Sequence, residues 1–163
     1  MHKRPRGFTI VELLIVIVVI AVLAAVTVVA FNGINARANS SALQADLRGI
    51  YAKIALAQAD NGTAPLASDA ALTAVGFDVD TTQYGQGFYN GTGYYNLLYC
   101  RSTDNTSFAL VGWSKTNVGF VAKGGSVTSY AGVPATSATV CPAVGINPYT
   151  VFWIYAASAW QVP

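Results

Sequence analysis

Residues 8–31 read FTIVELLIVIVVIAVLAAVTVVAF, 24 residues in which Thr9, Glu12 and Thr27 are the only polar positions. As a helix this stretch measures about 36 Å, enough to cross a hydrocarbon core of about 30 Å. From Leu13 to Ala30 only Thr27 interrupts 18 residues of apolar sequence. The segment before it, residues 1–7, reads MHKRPRG and carries Lys3, Arg4 and Arg6. Positive flanks resist translocation, so this short basic side is expected in the cytoplasm and everything after Phe31 on the outside.

The remaining composition agrees with a chain of which part is buried in lipid or protein. Of 163 residues, 53% are hydrophobic and only 10% charged, which excludes intrinsic disorder. A formal net charge of +2 excludes a broad charge-driven surface for nucleic acid. The length suits one domain plus an appendage.

A secretory signal peptide also joins a basic region to an apolar one, and Ala24-Ala25 imitates its cleavage site. The apolar region of such a signal is about 7 to 15 residues long, however, and this one is longer, carries a carboxylate near its start and runs on into a helical pattern. Glu12 is the anomaly. A charged side chain in a membrane span costs about 2.5–3.5 kcal/mol at the centre and tends to be partnered or functional. Glu12 either snorkels to the interface or meets a positive group at its own depth, and an α-ammonium created just before Phe8 in a neighbouring copy would be such a group.

The stretch Arg6-Gly7-Phe8-Thr9-Ile10-Val11-Glu12-Leu13-Leu14-Ile15 closely resembles the class III signal of type IV prepilins and type II secretion pseudopilins. The shared features are a short basic leader ending in Gly, an aromatic first mature residue, a carboxylate at the fifth mature position and an uninterrupted apolar helix. The resemblance implies cleavage between Gly7 and Phe8 by a prepilin peptidase on the cytoplasmic side, N-methylation of Phe8, and a meeting of Glu12 with the Phe8 amine of an adjacent subunit. Its motif covers about 25 residues. Many members of the family carry a helix-breaking Pro or Gly in the apolar half, whereas this chain has neither between Leu13 and Asn32.

Beyond Phe31, Leu43, Leu47, Ile50, Ile54 and Ala57 recur at helical spacing and predict one apolar face, while Arg37, Asp46, Arg48, Lys53 and Asp60 lie on the others. Asn61-Gly62 followed by Pro65 signals the end. A helix from Phe8 to Asp60 would hold 53 residues and measure about 80 Å, with a possible bend at Asn32-Gly33. Ser68 to Val75 reads as a short helix with Ser68 as its N-cap. Gly76 to Gly93, rich in Gly, Asp, Asn, Thr and Tyr, reads as an exposed irregular loop.

Strands are expected over Tyr94–Arg101, Phe108–Ser114, Gly119–Lys123 and Ser126–Tyr130, an antiparallel meander of three or four strands with one face on the amphipathic helix. Tyr149 to Tyr155 reads as a last strand, either buried or at an edge, with Trp160 after it. Cys100 and Cys141 lie on the oxidising side, and a disulfide between them would staple the C-terminal segment to the first strand. The resemblance supports it, because family members often close a C-terminal region this way. Closing that 41-residue separation is worth about 4 kcal/mol in the chain-entropy model, less any strain.

Little else in the sequence suggests chemistry. His2 is the one histidine and falls in the predicted leader. There is no phosphate-binding Gly-Lys-Ser/Thr loop, and Gly85-Gln86-Gly87 lacks the context of a nucleotide site. Asp78, Asp80 and Asp104 are a weak candidate set for calcium, without EF-hand spacing; no cofactor is expected. Asn39, Asn61, Asn90 and Asn105 begin N-x-[ST] patterns.

The sequence therefore predicts an α+β chain with four parts: a cleaved leader at residues 1–7, a membrane or filament-core helix at 8–31, its amphipathic continuation at 32–61 and a head at 62–163. The expected function is that of a non-enzymatic structural subunit of a type IV pilus, serving adhesion, motility or DNA uptake. Burial of the apolar stretch against neighbouring copies would drive assembly and Glu12 would fix register. Expected partners are further copies, minor pilins, the prepilin peptidase, the inner-membrane assembly platform and membrane lipid, with no direct nucleic-acid site. The precursor would lie in the cytoplasmic membrane and the assembled form at the cell surface. The alternatives are a pseudopilin of a type II secretion or competence system, and an anchored adhesin or receptor that never polymerises, with Tyr84, Tyr89, Tyr94, Tyr95 and Trp113 as contact aromatics.

Overall fold

The computed structural model describes residues 7–65, 69–76, 81–89, 92–132, 137–155 and 160–161. The leader before Gly7 and the Ser68 cap lie outside them. The architecture is α+β, with a long N-terminal helix and an antiparallel sheet, and the chain divides into two compact units, Met1–Arg37 and Ala38–Pro163.

Helix α1 spans Ile10–Asn61, 52 residues, with Gly33 and Gly49 inside it and no proline. Within the first unit the large apolar side chains described between Phe8 and Phe31 are all exposed, from 51% at Val16 to 84% at Ile10. Thr27 donates its hydroxyl to the Ala24 carbonyl at 2.9 Å, so the one polar side chain in the apolar run is satisfied by its own helix. The helix is long and apolar enough to cross a membrane, and none of its apolar window is buried within the structure.

In the second unit Leu43, Leu47, Ile50 and Ile54 are buried, as their spacing predicts. Gly62, at φ 74°, ends the helix in the left-handed region, where a Cβ would be strained. Helix α2 follows at Asp69–Ala74 and is closed by Gly76 at φ 69°. A 3-10 turn at Thr81–Gln83 leads into the sheet.

Among the described residues the sheet has seven strands: β1 Gln86–Tyr89, β2 Thr92–Ser102, β3 Phe108–Trp113, β4 Gly119–Lys123, β5 Ser126–Tyr130, β6 Tyr149–Tyr155 and β7 Trp160–Gln161. Its order is β5-β4-β3-β2-β6-β7, with β1 also pairing β2, and every described pairing is antiparallel. The expected meander is present as β2 to β5. Two expectations change. The region from Gly76 to Gly93 is not an irregular loop, because Gln86–Tyr89 pairs with the start of β2 in the register Tyr89↔Thr92. The last expected strand, β6, is neither terminal nor at an edge, since it lies between β2 and β7.

Alternation along the strands divides the core in two. Leu97, Tyr99, Phe108, Leu110, Phe120 and Ala122 cluster with the apolar face of α1. Leu98, Cys100, Ala109, Val111 and Trp113 face the other way and cluster with Val140, Cys141 and Ile146. The second layer comes from α3, Ser137–Ala143, a helix the sequence reading did not anticipate. Cys100 and Cys141 are bonded, with Cα atoms 5.6 Å apart, so the staple joins α3 to β2. Where β3 meets α1 the contact requires Gly112, since a Cβ there would come within 2.9 Å of Tyr84 and 3.3 Å of Leu43. The Tyr84 hydroxyl donates to Asp46 of α1 at 2.6 Å, which pins the lead-in to β1.

Candidate functional site

The start of α1 concentrates the residues singled out from the sequence. Gly7 and Phe8 precede the helix, both are exposed, and Phe8 is 83% accessible. The bond between them therefore lies in non-helical chain, where a peptidase can reach its carbonyl. Glu12 sits in the first turn and is also exposed.

Glu12 is engaged by a residue that the sequence reading passed over. The backbone N–H and hydroxyl of Thr9 both donate to Glu12 Oε2, at 2.9 and 2.7 Å, and the Glu12 N–H donates back to Thr9 Oγ1 at 3.2 Å. This is a reciprocal capping box, with Thr9 as N-cap and Glu12 three positions on. Two orphan donors of the helix start are satisfied, and the carboxylate lies where the positive end of the helix dipole favours it. The Thr-x-x-Glu spacing at 9–12 was the available signal. Among the described residues Glu12 Oε1 has no donor, so one oxygen is committed to the cap and the other is open to a cation.

The other candidates fall into place as follows. Tyr84 and Trp113 are fully buried, which removes them as contact aromatics. Tyr84 anchors to Asp46, and the Trp113 indole N–H donates to the Gly132 carbonyl at 2.7 Å. Trp113 lies in β3, and Tyr84, ahead of β1, is held by an isolated antiparallel bridge to Ser114. For Tyr89, Tyr94 and Tyr95 the described structure is confined to the backbone.

Asp78 and Asp80 lie outside the described residues. Asp104 accepts hydrogen bonds from the Ser102 hydroxyl and from the backbone N–H and hydroxyl of Thr106. These bonds, the Ser102 one foremost, hold its carboxyl below the ordinary value of 3.8. Its Oδ1 thus orders the β2–β3 turn. Among the described residues no group of three or more His, Cys, Asp or Glu side chains converges on a metal position. Of the N-x-[ST] asparagines, Asn39 lies within α1, Asn61 ends it, Asn105 occupies the β2–β3 turn and Asn90 is outside the described residues.

Comparison with known proteins bears on the same end of the chain. The prokaryotic N-terminal methylation motif matches residues 2–28, which include Gly7, Phe8, Thr9 and Glu12. No curated protein and no solved structure matches the chain. Residues 2–28 are thus the class III signal of type IV pilins and pseudopilins, carried at the head of an α+β chain.

Proposed function

We propose that the chain is a structural subunit of a type IV pilus-type filament, made as a single-pass precursor in the cytoplasmic membrane and released for assembly by a prepilin peptidase. Cleavage after Gly7 leaves Phe8 as a new N-terminus. N-methylation retains a positive charge on the Phe8 amine while adding a small apolar group. Phe8 then carries a cation about 6 Å along the helix axis from Glu12, so a neighbouring copy shifted by about one helical turn brings its amine level with Glu12.

The observation that carries this reading is the combination of an exposed apolar helix with one carboxylate at its start, half used by its own cap. In lipid the apolar side chains have no hydrophobic drive to associate, because acyl chains are as apolar as a neighbouring helix. Selection among possible registers then falls to the polar group. A neighbour's Phe8 ammonium at Glu12 Oε1 pairs two charges that are each costly alone in the membrane. Every other register leaves them apart, while lateral packing of α1 on copies of itself supplies the dispersion contacts.

The reading gives the chain no catalytic role. Its partners are further copies, the peptidase, minor subunits and the assembly platform, with the head directed outward. A surface pilus and a periplasmic pseudopilus share the same signal.

The test is Glu12→Ala, expressed in the native host. Membrane insertion and cleavage after Gly7 should persist, and filament yield should fall at least tenfold. Filaments at the normal level from Glu12→Ala would remove Glu12 from assembly and with it the register mechanism.

A further inference from the structure

The two ends of the strand order β5-β4-β3-β2-β6-β7 are built differently. At one end β7 is two residues long, which gives a further strand little to pair with. At the other, β5 is five residues long and, among the described residues, pairs with β4 alone. Its register with β4 runs without a bulge, and Ser126 to Tyr130 includes neither a charged residue nor a proline. The devices that keep an open edge from pairing are therefore missing from β5. Ser126, Thr128 and Ser129 are exposed, and Val127 and Tyr130 are half-buried. The chain leaves β5 over the face of the sheet, where the Gly132 carbonyl accepts the Trp113 indole N–H, so its last described residues there turn away from the edge.

The hairpin turn decides which backbone groups that edge presents. Gly124 and Gly125, at φ 58° and 82°, form the two-residue turn between β4 and β5, which makes Lys123 and Ser126 a hydrogen-bonded pair. By alternation Ser126, Thr128 and Tyr130 direct their backbone groups at β4, and Val127 and Ser129 direct theirs at the open edge. Two such edges are complementary when they run antiparallel about Thr128. Val127 of each copy then faces Ser129 of the other and exchanges both N–H···O bonds with it, while the two Thr128 side chains meet as a favourable cross-strand pair. No like charges are brought together, because β5 has none. An edge of about 17 Å is too short to hold two free molecules, since stable interfaces bury about 1,200–2,000 Å². Copies held in one membrane by α1 are already concentrated, which a partner free in solution is not. We propose that β5 is a contact between copies of this chain, pairing antiparallel with β5 of a second copy about Thr128.

The experiment uses the full chain in detergent micelles, with Thr128→Cys or Ser126→Cys introduced singly and the rate of interchain disulfide formation followed in a glutathione redox buffer. Cys100 and Cys141 do not interfere, because they are buried and bonded to each other. Across the proposed pairing, cysteines at position 128 have Cα atoms about 4.5 Å apart, within the reach of a disulfide. Position 126 lies opposite Tyr130, so cysteines there are about 13 Å apart along the strands. Thr128→Cys should crosslink at least tenfold faster than Ser126→Cys. In the crosslinked Thr128→Cys dimer the Val127 and Ser129 amides should exchange hydrogen at least tenfold more slowly than in the reduced protein. Ser129→Pro removes an outward N–H without removing a bond to β4, and should slow the Thr128→Cys crosslink at least fivefold. Equal crosslinking from the two positions, unprotected Val127 and Ser129 amides in the dimer, or a crosslink indifferent to Ser129→Pro would each overturn the proposal. None of these readouts depends on filament assembly, so their failure leaves the proposed function untouched.

Discussion

The two parts of α1, residues 10–37 and 38–61, are both helical and both rich in aliphatic side chains, yet they use them in opposite ways. In the later part most of the large aliphatic residues keep to one face, and Leu43, Leu47, Ile50 and Ile54 are buried within their own chain while Leu56 is exposed. In the earlier part they occur all round the helix and none of those described is buried. A helix apolar on every side has to be surrounded by lipid or by other protein. The amphipathic part is therefore explained by folding, and the uniform part only by an environment outside the chain. The reciprocal cap of Thr9 and Glu12 sits at the start of the uniform part.

Substitutions can break this contrast. The largest expected effect is Leu47→Ala, which removes a fully buried side chain and should cost the head about 2–5 kcal/mol in a denaturant titration. The matched change Ile17→Ala, in the same helix, should leave head stability within about 0.5 kcal/mol, because Ile17 is exposed and belongs to neither described core cluster. Equal losses from the two variants would end the distinction.

A smaller effect is expected at the cap. Thr9→Ala should cost about 1 kcal/mol of local helix stability, seen as roughly fivefold faster hydrogen exchange of the Glu12 amide, which donates to the Thr9 hydroxyl. Thr9→Ser keeps the hydroxyl and should exchange like the parent.

The smallest effect concerns Asp104. Its carboxyl is held below 3.8 in the folded head, so it contributes stability above that value and loses the contribution as pH falls through the lower folded value. The melting temperature of the head should fall slightly more between pH 6 and pH 3 in the parent than in Asp104→Asn. Identical pH profiles would show that the turn does not depend on the charge.

How much of this was legible in the sequence depends on where the information lies. The apolar span, the buried face of α1, the Gly62 stop and the strands from Phe108 to Tyr130 were readable because each is set by local periodicity or turn chemistry. Helix α3 was not. Its sequence SATVCPA contains Thr139, Val140 and Pro142, all poor helix formers, and it is held by burial of Val140 and Cys141 and by the disulfide. Strand β1 was hidden among glycines and polar residues, although the Asn90-Gly91 dipeptide between its end and β2 is a hairpin signal. The tail strand was recognised, but its place between β2 and β7 depends on long-range pairing that no local pattern encodes. At the site, Gly7, Phe8 and Glu12 were visible from the signal itself. Thr9 was overlooked because a threonine beside an apolar run looks unremarkable until its spacing to Glu12 is counted.

The central claim is that the apolar part of α1 is the mature N-terminus of an assembling subunit. The most direct measurement is mass spectrometry of the N-terminal peptide from two fractions of the native host, sheared surface filaments and membranes. The account predicts a chain beginning at N-methylated Phe8, abundant in the filaments if the assembly is a surface pilus and confined to membranes if it is a pseudopilus. A chain that retains Met1, or one that begins near Ala25 or Val26, would contradict it.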